Sequence, residues 1–241
     1  MTVYGRNSVE EAITAGLEIQ EVLVQRGKAD TYSGLLERMR RKGVHITPVD
    51  ERTLDKESET RKHQGICARL APIPNIKENE DDYPGWDAMN TVLALDGITD
   101  TGNLGAIIRS AALFGCDCIV LPNDNSARIT PQTIRSSAGA IYQQKIQFVN
   151  NLNTSLVELQ AEGFRVFGLA GDSGDSIGDA DLSGKVCIVI GSEREGMRKS
   201  VRKNCDHLVA IPTTRKIDSL NASVACAVAL WEVWRRPRVA V

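Results

Sequence analysis

The amino-terminal third of the chain switches repeatedly between a helical and a strand period. "NSVEEAITAG" predicts a short helix, with Asn7 or Ser8 placed to cap it and Gly16 to stop it. "EVLVQ" (21–25) predicts a strand, "TYSGLLERMRRKG" (31–43) a helix ending at Gly43, and "VHITPV" (44–49) a strand. "ERTLDKES" (51–58) predicts a short helix and "GICARLA" (65–71) a further strand. Strands alternating with helices imply an α/β layer.

The pattern then lapses. "PIPNIKENEDDYPGW" (72–86) combines three prolines with a run of acids, poor material for a core. The expected organisation is a small domain at 1–73, a linker at 74–88 and a larger domain at 89–241. The strands of the larger part are more continuously apolar: "TVLALDG" (91–97), "CDCIVLP" (116–122), "FRVFGLA" (164–170), "KVCIVIG" (185–191) and "HLVAIP" (207–212). Helical segments are expected at 104–114, 131–140, 153–162, 195–203 and 220–234. Such runs suit a mostly parallel sheet covered on both faces, with ligands at the carboxyl ends of its strands.

Composition narrows the classes. The 241 residues are 42% apolar and 25% charged, which places the chain among globular proteins. A net charge of −2 argues against a globally basic nucleic-acid binder, although local basic patches occur at 38–42, 197–203, Arg215-Lys216 and 235–238. The six cysteines form no CxxC pair, so no zinc site or disulfide frame is expected, and scattered thiols suggest a reducing compartment. No apolar run approaches the roughly 18 residues of a membrane span, and the first residues resemble no targeting peptide. The expectation is a cytoplasmic protein with no metal and no membrane partner.

Three loops after strands carry the candidate chemistry. In "LDGITDTGNLGAIIRSAALFG" (95–115), Leu104, Ile107, Ile108 and Ala111 make the buried stripe of a helix that Asn103 is placed to cap. Arg109 lies off that stripe, and Gly102 and Gly105 would let a ligand approach. In "GSEREGM", Gly191 and Gly196 flank Glu193, which suits either a ligand against the main chain or an acid in the first turn of a helix. In "IPTTRKIDSLNASVACAVALWEVW", Ser219-Leu220-Asn221 opens a helix apolar on nearly every side. Trp231 and Trp234 are read as core, with a subunit contact as the alternative. Walker, GxGxxG and GxSxG signatures are absent, and the three histidines sit apart.

"DGITDTGNLGAIIRSA", "VIGSEREGM" and "IPTTRKIDSLNASVA", in this order, resemble the three motifs of the SpoU (TrmH) family of RNA ribose 2′-O-methyltransferases. "VYGRNSVEEAI" and "HQGICARL" resemble the substrate-binding extension of its subgroup acting on a guanosine in the peptidyl-transferase region of 23S rRNA. The resemblance implies a SPOUT-type sheet with a trefoil knot, a small L30e-like RNA-binding domain before it, a homodimer, and S-adenosylmethionine as methyl donor. It places catalytic roles on Arg109, Asn103, Glu193, Ser219 and Asn221, and main-chain cofactor contacts at Gly191, Ile211 and Leu220. Phosphate contacts are expected from Arg6, Arg38, Arg40, Arg198, Lys199 and Arg215. Thr101, Arg194, Thr213 and Arg215 depart from the family's usual residues, which bears on the cofactor loop and on nucleotide choice. A different rRNA or a tRNA as substrate, a non-catalytic RNA-binding protein of the same fold, and a nucleotide-cofactor oxidoreductase on a Rossmann sheet, against which the missing glycine fingerprint argues, are the alternatives.

Overall fold

The helices that the periodicity predicts before residue 60 are all present in the computed structural model: α1 (Arg6–Thr14), α2 (Ser33–Arg41) and α3 (Glu51–Ser58). The structure describes residues 2–14, 16–58, 60–77, 85–214 and 219–236. α1 begins at Arg6, so Asn7 and Ser8 lie inside it and do not cap it. α2 ends as its glycine dictates. Gly43 adopts φ +76°, its N–H bonds the Arg40 carbonyl at 2.9 Å, and the Val44 N–H bonds that of Met39 at 3.1 Å. With β1 (Thr2–Tyr4), β2 (Ile19–Gln25), β3 (His45–Val49) and β4 (Ile66–Leu70), these helices build a four-stranded sheet in the order β1-β4-β2-β3. Only β2 and β3 pair in parallel.

The chain divides into two compact units, Met1–Ile73 with Thr130–Gln132, and Pro74–Ile129 with Thr133–Val241. The remaining elements are β5 (Ile76–Lys77), β6 (Thr91–Asp96), α4 (Thr101–Leu113), β7 (Cys118–Pro122), α5 (Pro131–Ser136), β8 (Lys145–Val149), α6 (Leu152–Ala161), β9 (Arg165–Leu169), β10 (Val186–Gly191), α7 (Lys199–Lys203), β11 (His207–Val209) and α8 (Ala222–Trp234). Their seven-stranded sheet runs β11-β9-β10-β6-β7-β8-β5, with every pairing parallel. β6 is followed on one side by β7 and β8, whereas β10 and β9 lie on the other. The order therefore reverses between β6 and β10, and a crevice is expected beyond their carboxyl ends.

Several expectations need correction. β8 is not evident from the sequence, because Lys145 and Gln147 interrupt its apolar run, yet Gln147 is buried and donates from Nε2 to the Phe148 carbonyl at 2.8 Å. The stretch expected to be a linker contributes Ile76–Lys77 as an edge strand on β8 and buries Trp86 in the core cluster that also holds Val92 and Leu152. The helix expected at 131–140 stops at Ser136, ahead of Ala138 at φ +49° and Gly139 at φ +86°. The one expected at 195–203 begins only at Lys199.

α8 crosses the second unit against α4 and β10. At its far end Glu232 is buried, and Arg235 and Arg236 outweigh the burial that would raise its pKa, holding it below the usual carboxylate range. Arg236 also donates to the carbonyls of Ala180 at 2.7 Å and Gly178 at 2.5 Å. Among the described residues no helix is long and apolar enough to cross a membrane.

Candidate functional site

Three loops that follow strands meet at the crevice between β6 and β10. The first opens α4. Its N-cap is Asp100, whose Oδ1 accepts the Asn103 N–H at 2.7 Å, so Asn103 is not the cap and its side chain is released for other work. α4 starts at Thr101, three residues before the expected position, and Gly102 and Gly105 therefore lie within it. Gly105 serves packing: a Cβ there would stand 2.5 Å from Ser136 Cβ and from the Thr133 carbonyl oxygen.

The second loop follows β10 and closes on itself. Ser192 and Gly196 exchange main-chain hydrogen bonds at 3.1 and 3.0 Å, and the Ser192 hydroxyl accepts the Glu195 N–H at 3.2 Å. A Cβ at Gly191 would lie 2.2 Å from the Gly196 carbonyl carbon. That glycine lets the loop fold back on its own strand, and Glu193 is lifted to the tip. The third loop leads into α8, which Asn221 caps, its Oδ1 accepting Ser223 N–H at 2.9 Å and Val224 N–H at 3.3 Å.

The three side chains close a ring. Asn103 Nδ2 donates to Glu193 Oε1 at 3.0 Å, and Asn221 Nδ2 donates to Asn103 Oδ1 at 3.0 Å and also to Glu193 Oε1. The Ala222 N–H adds a further donor to the same oxygen at 3.3 Å. The carboxylate oxygen at the start of α8 takes one orphan N–H, that of Ala222, and the favourable end of the helix dipole. The cluster thus fixes the spatial relation of α4, the β10 loop and α8.

Not every candidate joins it. Arg109 is exposed on α4, two turns beyond Asn103, with no hydrogen bond to a described residue. Ser219 is exposed and likewise outside the ring. Trp231 and Trp234, expected in the core, are 47% and 53% exposed. Arg215 lies outside the described residues. No main-chain hydrogen bond joins Ile211 or Leu220 to another described residue, and Leu220 keeps an exposed side chain.

The sequence reading missed Asp96. It ends an otherwise apolar buried strand, which is itself the signal, since an acid is rarely so buried unless paired. Its side chain is wholly inaccessible, and it accepts the Arg198 N–H at 2.7 Å and Arg198 Nε at 2.6 Å. The basic patch at 197–203 therefore holds an arginine with an internal partner. Thiol chemistry is disfavoured: burial pushes the Cys67 thiol up to about 11 and that of Cys205 to about 12. Among the described residues no cluster could hold a metal ion.

Comparison with known proteins agrees with this architecture. The family model described as SpoU rRNA Methylase family matches residues 90–231, and that described as RNA 2′-O ribose methyltransferase substrate binding matches residues 2–75. The 23S rRNA (guanosine-2′-O-)-methyltransferase RlmB of Xanthomonas axonopodis pv. citri is 37% identical over 97% of this chain and 96% of its own. The Haemophilus influenzae protein of the same name is 35% identical over 97% of each. Among solved structures, an RNA 2′-O ribose methyltransferase matches 98% of this chain and 88% of its own with TM-score 0.61 and 26% identity. AviRb from Streptomyces viridochromogenes in complex with AdoMet matches 98% and 89% with TM-score 0.63 and, at 23% identity, shares the fold. With more than half its length matched by the methylase model and whole-length relatives above 30% identity, the chain belongs to the SpoU rRNA methylase family.

Proposed function

We propose that the chain transfers a methyl group from S-adenosylmethionine to the ribose 2′-oxygen of a guanosine in the peptidyl-transferase region of 23S rRNA. One observation carries this: three motifs remote in sequence deliver Asn103, Glu193 and Asn221 to one hydrogen-bonded ring at the switch point of a parallel sheet. The choice of 23S rRNA takes its support from relatives that match nearly their whole length.

The residues fit the cofactor, because the main-chain groups of Ile211 and Leu220 have no hydrogen bond to a described residue and Leu220 offers an exposed apolar side chain. S-adenosylmethionine supplies, when bound, an electrophilic methyl group on a sulfonium. The protein has to place a weakly nucleophilic hydroxyl against it and stabilise the charge that develops on oxygen. Arg109, a permanent cation, holds a phosphate of the target nucleotide and donates to the forming alkoxide. Asn103, Glu193 and Asn221 keep the crevice in shape, and Ser219 contacts the ribose.

The functional unit is a homodimer. Val224, Val228 and Trp231 recur at one-turn spacings on α8 and all are exposed. On α4, Leu113 is 68% exposed and lies one turn beyond Arg109 on the same ridge. A second copy covering this apolar surface would bring Arg109 to the seam between subunits. The first unit binds RNA, where Arg6, Tyr32 and Arg38 line a recess of about 310 Å³. An rRNA substrate and cysteines that are all free support a cytoplasmic location.

Labelled-methyl transfer to purified 23S rRNA fragments and to tRNA, followed by mapping of the modified ribose, tests the assignment. Label on a 23S guanosine 2′-oxygen is expected. Label on tRNA alone would move the substrate, and no transfer to any RNA would leave a binding protein.

A further inference from the structure

The Asp96–Arg198 pair does more than neutralise a buried charge. Asp96 ends β6 and stands opposite Gly191, the last residue of β10, in the parallel register. It therefore sits at the floor of the crevice. Arg198 reaches it from the far end of the Glu193 loop, giving its main-chain N–H to one carboxylate oxygen at 2.7 Å and Nε to the other at 2.6 Å. With its main-chain N–H and its Nε both bonded to Asp96, Arg198 is anchored at the end of β6. The side chain is 49% exposed although its partner is fully buried, and neither Nη has a partner among the described residues. Neutralising Asp96 uses only the main-chain N–H and Nε, so the Nη1–Nη2 fork is left without a described protein partner.

We propose that Asp96 and Arg198 form an anion subsite in the crevice, with the Arg198 Nη1–Nη2 fork receiving a two-oxygen anionic group of a bound ligand. The fork matches a carboxylate or a phosphate bidentately, and a preoriented guanidinium loses less freedom on binding than a free one. Asp96 is the positioning residue. The proposal deepens the methyltransferase function above, which provides two sources for such a group: the carboxylate of the S-adenosylmethionine amino-acid moiety and a phosphate of the RNA.

Arg198→Lys separates recognition from neutralisation, because an ammonium can pair with Asp96 but cannot present a fork while doing so. Calorimetric titration compares S-adenosylmethionine with its decarboxylated analogue, and binding of a 23S rRNA fragment is measured across a salt series. If the cofactor carboxylate occupies the fork, the unsubstituted protein prefers S-adenosylmethionine by about tenfold, and Arg198→Lys abolishes that preference. If an RNA phosphate occupies it, cofactor discrimination is unchanged and the slope of log affinity against log salt falls by about 0.7 for Arg198→Met. The double variant Asp96→Asn/Arg198→Met removes both charges and repeats both arms should the single variants fail to fold. Unaltered discrimination and an unaltered salt slope in folded variants would overturn the subsite and leave the methyltransferase assignment standing. An unsubstituted protein that binds neither cofactor nor RNA would overturn both.

Discussion

Asn221 serves two elements with one side chain: its Oδ1 caps α8, while its Nδ2 donates to Glu193 at the tip of the β10 loop. Capping and loop placement are separable by substitution. Asn221→Ser keeps a capping oxygen and loses the amide donor. Its stability should stay within about 0.5 kcal/mol of the unsubstituted protein, whereas Asn221→Ala should lose about 1 kcal/mol. Both should lose methyl transfer to a similar degree. Urea denaturation beside single-turnover rates checks this, and a fully active Asn221→Ser would remove the ring from the mechanism.

Arg109 is exposed and free of described partners, so Arg109→Ala should change stability by less than about 0.5 kcal/mol. Cofactor affinity should stay near normal and methyl transfer should almost vanish. Equal losses in cofactor binding and turnover would contradict its placement at the nucleotide.

The apolar ridge of α8 predicts the oligomeric state. Trp231→Glu places a charge on a surface that is 47% exposed in the single chain, so the fold should survive and the dimer should not. Light scattering across a concentration series would show a monomer. A dimer of unchanged affinity would locate the interface elsewhere.

Acid sensitivity follows from Arg69. Its hydrogen bonds to Glu57 hold that carboxylate below its ordinary value, with burial opposing and the charge of Arg69 reinforcing the effect. A lowered folded pKa stabilises the fold above the unfolded value, near about 4.3, and that contribution is lost as pH falls through the folded one. Arg69→Met should therefore flatten the stability profile between about pH 4.5 and the acid limit. An unchanged profile in urea melts would show that the pair contributes nothing.

The sequence made the sheet legible where strands were uniformly apolar, as in "TVLALDG" and "KVCIVIG", because burial on both faces leaves that mark. It hid β8, whose buried Gln147 bonds its own strand, and β5, only two residues long within a proline-rich stretch. The three motifs marked Asn103, Glu193 and Asn221. Spacing alone assigned Asn103 the wrong task, since any of Asp100, Thr101 or Asn103 could open the helix and only the fold selects Asp100. Asp96 and Arg198 are separated by 102 positions, and no local period reports a pairing of that range.

Fastening α8 at both extremities makes it a tie rod. Glu193 and Asn221 secure one end, and Arg236, gripping the carbonyls of Gly178 and Ala180, secures the other. Arg236→Met would release the carboxyl end of α8, whose amino end carries Asn221 of the ring. Substitution at Arg236, remote from the crevice, is therefore expected to lower methyl transfer as well as stability.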